Sequence, residues 1–192
     1  MKTISKNSIN HLLIILSLLC IFSCKNKTPQ VIPSGETEVI VPCSGTEYFS
    51  SGEIFRTNSI GESRDQVASK KKALSNARAD LAAHVSTTVK AVTDNYLNSR
   101  EFNNKEEVEE RYESLNREVV NQEIRGSKVI CEKQTRTAQG SFKSYIAIEL
   151  DPKLILEAYN ERLSSDERLK IDYDYEKFKK TFEEEMSRMA GG

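Results

Sequence analysis

Tryptophan is absent from this 192-residue chain, aromatic residues make up only 7% of it, and histidine occurs just twice. So few large rings suit one small domain with a modest core, not a large enzyme built round a deep pocket. Neither sign of charge dominates: 28 Lys+Arg stand against 29 Asp+Glu, a formal net charge of -1. Without Lys2 and Lys6 of the leader described below, the balance becomes -3. No overall basic field of the kind that attracts phosphates is left, so no nucleic-acid partner is expected. Also missing are a Gly-x-Ser-x-Gly elbow, a phosphate-cradling glycine loop and a His-Glu-x-x-His pair. A serine or cysteine nucleophile needs a base placed to activate it, and beyond the leader only His84 is available. The expectation is therefore no catalytic residue, no metal and no cofactor. No internal repeat is visible.

Long apolar runs are scarce too, and the one at the start is short. Leu12 to Phe22 is apolar except for Ser17, about half the ~20 residues that a permanent spanning helix requires. Lys2 and Lys6 precede the run and Ser23 follows it, the layout of an export signal over residues 1–23. Ile21-Phe22-Ser23-Cys24 resembles the lipobox of bacterial lipoproteins: an aliphatic residue, a loose position, a small residue, then cysteine. That resemblance implies cleavage before Cys24 and lipid on its thiol. Several acyl chains, each CH2 worth ~0.8 kcal/mol, make such anchoring stable. The other reading is an ordinary signal peptide beside an incidental cysteine. Phe22 is bulky for its position, and Cys20 is the poorer candidate because Leu19 is not small. Residues 24–42 are polar and turn-rich, with Pro29, Pro33, Gly35 and Pro42, and read as a flexible tether.

Cleavage discards Cys20 and lipid occupies Cys24, which leaves Cys43 and Cys131. In an oxidising envelope one pair of thiols reads as a disulfide. Bridging them closes a loop of about 90 residues, worth up to ~4 kcal/mol by loop-closure entropy, and pins the start of the domain to a later strand. The alternative is two free thiols, one of them buried.

Residues 43–163 read as the folded domain. Glu47 to Ile60 carries one or two short strands, followed by a turn at Gly61-Glu62. Ser63 and Gln66 have the spacing of a capping box. The helix it opens runs to about Tyr96, with Val67, Leu74, Ala77, Leu81, Val85, Val89, Val92 and Tyr96 along one stripe. Five further alanines favour helix and allow close packing. After a polar break at 98–104, a second helix spans about Lys105 to Gln122, with Val108, Tyr112, Leu115 and Val119 on one face. Lys128 to Arg136 and Phe142 to Leu150 form a hairpin round Thr137–Ser141. Asp151-Pro152 opens another helix, with Leu154, Ile155, Ala158 and Tyr159 facing inward. Residues 164–192 read as a charged amphipathic helix carrying Tyr175, Phe178, Phe182, Met186 and Met189 on one side. Docking back on its own domain is the plainer reading; an arm that binds a partner is the sharper one, and makes those side chains candidate contacts. Together the elements predict an α+β fold: a small antiparallel sheet of one strand plus a hairpin, covered on one face by the long helix and further helices.

Two runs carry a resemblance: Gly61-Glu62-Ser63-Arg64-Asp65-Gln66-Val67-Ala68 and Ala73-Leu74-Ser75-Asn76-Ala77-Arg78-Ala79-Asp80-Leu81-Ala82. They resemble the alanine-rich helix of the LPP-twenty-like family of bacterial lipoproteins, to which the N-terminal domain of the flagellar assembly protein FlgT is similar. In those domains a strand leads through a Gly-x-Ser turn into such a helix, and a strand like Tyr145–Leu150 follows later. The likeness covers roughly residues 44–159. The second helix and the charged tail fit it less well. It implies an envelope lipoprotein without known enzymatic activity, often associated with the outer membrane and sometimes part of an assembly. It carries over no catalytic residue.

The remaining candidates read as structural. His84 lies beside the helix stripe as a boundary residue. Arg78, inside the shared motif, is expected to pair with an acid such as Glu149 or to lie at the core boundary. Glu106, Glu107, Glu109, Glu110 and Glu183–Glu185 read as solvated faces, although acid pairs do serve in glycoside hydrolysis. Lys70-Lys71-Lys72 reads as a solvated turn before acidic headgroups are invoked. Two functions follow: a membrane-anchored, non-enzymatic protein that binds another envelope protein or stabilises an assembly, or a small-ligand or glycan-binding module. The second needs a cleft between the sheet and the second helix, lined by Tyr48, Phe55 or Tyr145.

Overall fold

In the computed structural model of the chain, the residues described are 35, 37, 39–101, 104–167, 169–170 and 173–189. The leader, Cys20, the lipobox and Cys24 lie outside them. Ile40–Gly192 forms one compact unit. The fold is α+β. A 3-10 turn at Thr46–Tyr48 precedes β1 (Phe55–Ser63), α1 (Gln66–Asn98), α2 (Lys105–Glu123), β2 (Lys128–Arg136), β3 (Phe142–Leu150), α3 (Pro152–Ser165) and α4 (Tyr175–Met189).

The sheet is antiparallel with order β1-β3-β2, so the last strand in sequence is central. Composition explains this place. In β3, Ser144, Ile146, Ala147, Ile148 and Leu150 are buried, whereas β2 is mostly exposed and charged, as suits an edge. Alternation sends Phe55, Thr57, Ser59 and Gly61 of β1 toward α1, with Ile146 and Ile148 of β3 beside them. The hairpin keeps its expected ends, and Gly140 at φ 85° closes it where a side chain would be strained.

Helix α1 lies across β1 and β3, and α2 and α4 pack on α1. Its buried stripe runs through Ser69, Ala73, Ala77, Leu81, Val85, Val89, Val92 and Tyr96. Small residues at the first three positions let the helix approach closely. A Cβ on Gly61 would sit 2.3 Å from both Ala73 N and Ser69 O. Gly61 is thus not a turn, as the sequence reading has it, but a strand residue pressed against a helix. The capping box is also corrected. Ser63 pairs with Phe142 as the last residue of β1, and Asp65 caps the helix by accepting from Ala68 N at 2.6 Å. The Gln66 amide reaches across to Gln134 Oε1 at 2.7 Å instead. Val67, placed on the stripe by its spacing, is 61% exposed because it falls in the first turn, beyond the sheet.

Two further expectations fail on particular residues. The first half of the 47–60 stretch is not strand: it holds the 3-10 turn and a single Ser51–Ile54 bridge, with Phe49 exposed. Leu154 is exposed on the outer side of α3, while Ile155, Ala158 and Tyr159 pack inward. The start of α3 is as expected, with Asp151 Oδ1 accepting from Lys153 N at 2.9 Å.

Candidate functional site

The sheet face opposite α1 carries Arg56, Asn58, Ile60 and Glu62 of β1 beside Glu149, Ala147, Tyr145 and Lys143 of β3. The chain enters the domain across this face and is fastened there. Cys43 is bonded to Cys131 of β2, with Cα atoms 5.7 Å apart, 88 positions along the sequence. Cys43 is buried and has φ 58°, an unusual backbone for a cysteine, held by the bridge. Beside it the Arg56 guanidinium grips Glu149 Oε2 through Nε at 3.2 Å and Nη2 at 3.1 Å, and donates from Nη1 to Glu47 O at 3.1 Å. One arginine thereby ties the entering segment, β1 and β3 together. Arg56 thus takes the acid named as a partner for Arg78, which lies instead at the core boundary, the other place expected for it. That arginine is half-buried on α1, and its Nε has no hydrogen-bond partner. Strand register sets the pair, because Arg56 lies directly opposite Glu149.

Ser50 and His84 meet beside the middle of α1. Ser50 Oγ lies 3.2 Å from His84 Nδ1, which is the contact a nucleophile and its base would make. The hydrogen-bond inventory gives the serine another task. Its oxygen accepts from Arg56 N at 2.8 Å and donates its one proton to Arg56 O at 2.9 Å, standing in for a neighbouring strand. His84 is then the donor through Nδ1. Its ring sits edge-on to Phe55 at 5.7 Å, and burial lowers its pKa below 6.5. The outer edge of β1 is closed further along by Asn76 Nδ2 on Ile60 O at 3.2 Å and Lys72 Nζ on Glu62 O at 3.1 Å. None of these side-chain seals shows in the sequence pattern, because each joins residues distant along the chain.

The side chains singled out on the tail lie mostly inside the protein. Phe178, Phe182 and Met186 are buried, and only Tyr175 is exposed, at 37%. Phe178 stacks on Tyr159 at 5.4 Å and meets Tyr96 edge-on at 5.3 Å. Tyr173 joins the cluster, and burial raises the pKa of Tyr96, Tyr159 and Tyr173 alike. The apolar stripe of α4 is thus spent on its own domain. Of the acids read as solvated, Glu185 is the exception: it is buried, with Asn95 Nδ2 at 2.6 Å and Arg188 against it. The side chain of Met189 lies outside the described residues.

The expected cleft would be lined by Tyr48, Phe55 or Tyr145, but Phe55 is fully buried and α2 packs on α1. An open cleft of about 570 Å³ lies instead between α1 and α2, lined by Lys90, Asp94, Glu109, Glu113, Asn116 and Arg117 among others. Two of its polar groups are already engaged with each other: Asn116 donates to Thr93 Oγ1 at 3.1 Å and also accepts from Tyr159. A second cleft of about 570 Å³ lies beside Ile54, Pro152, Leu156 and Phe182. Among the described residues, no group of three or more His, Cys, Asp or Glu side chains is placed to hold a metal ion. No helix among them is long and apolar enough to cross a membrane. No family model matches the chain, and no curated protein is detectably similar to it.

Proposed function

We propose that this chain is a bacterial envelope lipoprotein, held through lipid on Cys24 and most at home at the outer membrane, with a non-enzymatic role in binding or stabilising another envelope protein. The Cys43–Cys131 bridge is the observation that carries it. A structural disulfide needs an oxidising compartment, and export is the route that the leader offers. The bridge also sits where a tether from residue 24 would enter the domain. Fastening this point by a covalent bond and by Arg56 suits a domain held from its N-terminal end. The alanine-rich run from Ala73 to Ala82 favours the LPP-twenty-like group within this class.

The experiment is crosslinking in intact cells followed by recovery of the tagged chain. The proposal expects the protein in the membrane fraction, linked to a second envelope protein. Recovery of the uncrosslinked monomer alone would count against the partner-binding role. Release of the protein into the soluble fraction would count against the anchor.

A further inference from the structure

The near-zero net charge conceals a strong separation. Segments 56–78 and 125–143 carry eleven Lys+Arg against three Asp+Glu. They comprise β1, the first third of α1, β2, the hairpin turn and the start of β3; the rest of β3 lies between β1 and β2 and adds one acid, Glu149, which Arg56 already holds. The remainder of Ile40–Gly192 carries thirteen Lys+Arg against twenty-four Asp+Glu. The basic end culminates in β2, the free edge of the sheet. Lys128, Lys133 and Arg136 on the strand and Arg125 just before it are exposed, with Lys70 to one side and Lys143, paired with Glu62 at 3.7 Å, to the other. The single acid of the strand, Glu132, is already paired with Lys70 at 2.9 Å. Val129, 45% exposed, adds an apolar residue to the same strand. Charged residues, lysine especially, keep an edge from pairing with other strands. Here the basic run also reaches Arg125, which precedes the strand and has no ladder to protect.

The tether is joined to this strand. Cys43 is bonded to Cys131 in the middle of β2, and Cys24 lies nineteen residues before Cys43. At no more than ~3.6 Å per residue, a lipid on Cys24 holds β2 within about 70 Å of the bilayer. At that range a weak electrostatic contact becomes effectively intramolecular. We propose that the basic β2 edge docks on the anionic headgroups of the bilayer that holds the anchor. This inference rests on the lipoprotein reading. It adds an orientation: β2 toward the membrane, and the acidic helix α2, with seven Glu against three Lys+Arg, toward the envelope space and its proteins.

The test uses residues 25–192, which lack the anchoring cysteine and keep the whole compact unit Ile40–Gly192. Sedimentation with vesicles compares phosphatidylcholine alone with phosphatidylcholine containing roughly 30% phosphatidylglycerol, at about 0.1 M salt. Binding to the anionic vesicles alone is expected, with release in high salt. Combining Lys128→Gln, Lys133→Gln and Arg136→Gln should weaken binding roughly a hundredfold, at about fivefold for each charge. Circular dichroism would confirm that this variant is folded. Replacing Lys179 and Lys180 of α4 by Gln should leave binding unchanged. No preference for anionic vesicles, an undiminished triple variant, or binding to a single-stranded oligonucleotide but not to vesicles would each overturn the proposal. Because the protein tested has no anchor, any of these results leaves the fate of Cys24 to be judged by lipid labelling.

Discussion

Replacing Phe178 by alanine separates a helix that belongs to the core from an arm that merely rests on it. The ring is fully buried and touches three others: Tyr159 at 5.4 Å, Tyr96 at 5.3 Å and Tyr173 at 6.0 Å between centroids. Removing a buried Phe side chain costs about 3–5 kcal/mol, through lost transfer energy and the cavity left behind. Aromatic pairing contributes about 0.5–1.5 kcal/mol per contact beyond buried area, part of which is already inside that range. The cost has a ceiling where α4, the last described element of the fold, detaches before the rest unfolds. Once the loss exceeds the free energy that docks α4, the helix lets go. The expectation is therefore a loss of about 3 kcal/mol, or a smaller loss with α4 released. Urea unfolding followed by fluorescence and circular dichroism measures the first outcome. Amide exchange along 175–189 measures the second. A variant within about 0.5 kcal/mol of the parent, with exchange in α4 equally fast in both proteins, would refute the docked helix and restore the arm.

Reducing the Cys43–Cys131 bridge should lower the unfolding free energy measured in urea by about 4 kcal/mol, the loop-closure value for cysteines 88 positions apart, and the Cys43→Ser, Cys131→Ser double variant should show the same loss. Gly61→Ala should cost about 2–3 kcal/mol in thermal or urea unfolding, since its Cβ would meet backbone atoms of α1 at 2.3 Å and backbone cannot swing aside. The lowered pKa of His84 fixes the sign of a pH effect. Below 6.5 the unfolded chain takes up the proton first, so the stability contribution of neutral His84 is complete above 6.5 and is lost as pH falls through the folded-state value. Unfolding midpoints measured between about pH 7 and 5 should therefore decline, and His84→Gln should flatten that decline.

Features that depend on neighbours in sequence were legible. The hairpin announces itself through its turn and its two β-rich runs, and Gly140 takes the positive φ that such a turn needs. Asp151-Pro152 opens α3 because cap and first-turn chemistry are local. The stripe from Ala77 to Tyr96 follows from helical period alone. What escaped was set by residues far apart. Ser63 has the chemistry of a cap, yet its pairing with Phe142 keeps it in the strand and passes the cap to Asp65. Gly61 next to Glu62 has the composition of a turn, and only the closeness of α1 reveals why glycine stands there. Val67 and Leu154 obey the period but lie where no partner element reaches. At the entering segment, the cysteine pair was legible by elimination, whereas Arg56, Ser50 and the seals along β1 depend on register. The basic edge was half visible: Lys70-Lys71-Lys72 stands out in the sequence, but they lie on the second turn of α1, and only strand pairing brings Lys128 and Lys133 to the same end.

The proposed lipid on residue 24 would decide the compartment, the redox setting and the neighbours of this domain. Cells expressing the tagged chain should be fed an alkyne analogue of palmitate, and the mature protein isolated and probed for label. The account predicts a labelled species that begins at Cys24 and sediments with membranes, and an unlabelled Cys24→Ser variant that does not. An unlabelled parent protein, or a serine variant that fractionates as the parent does, would contradict it.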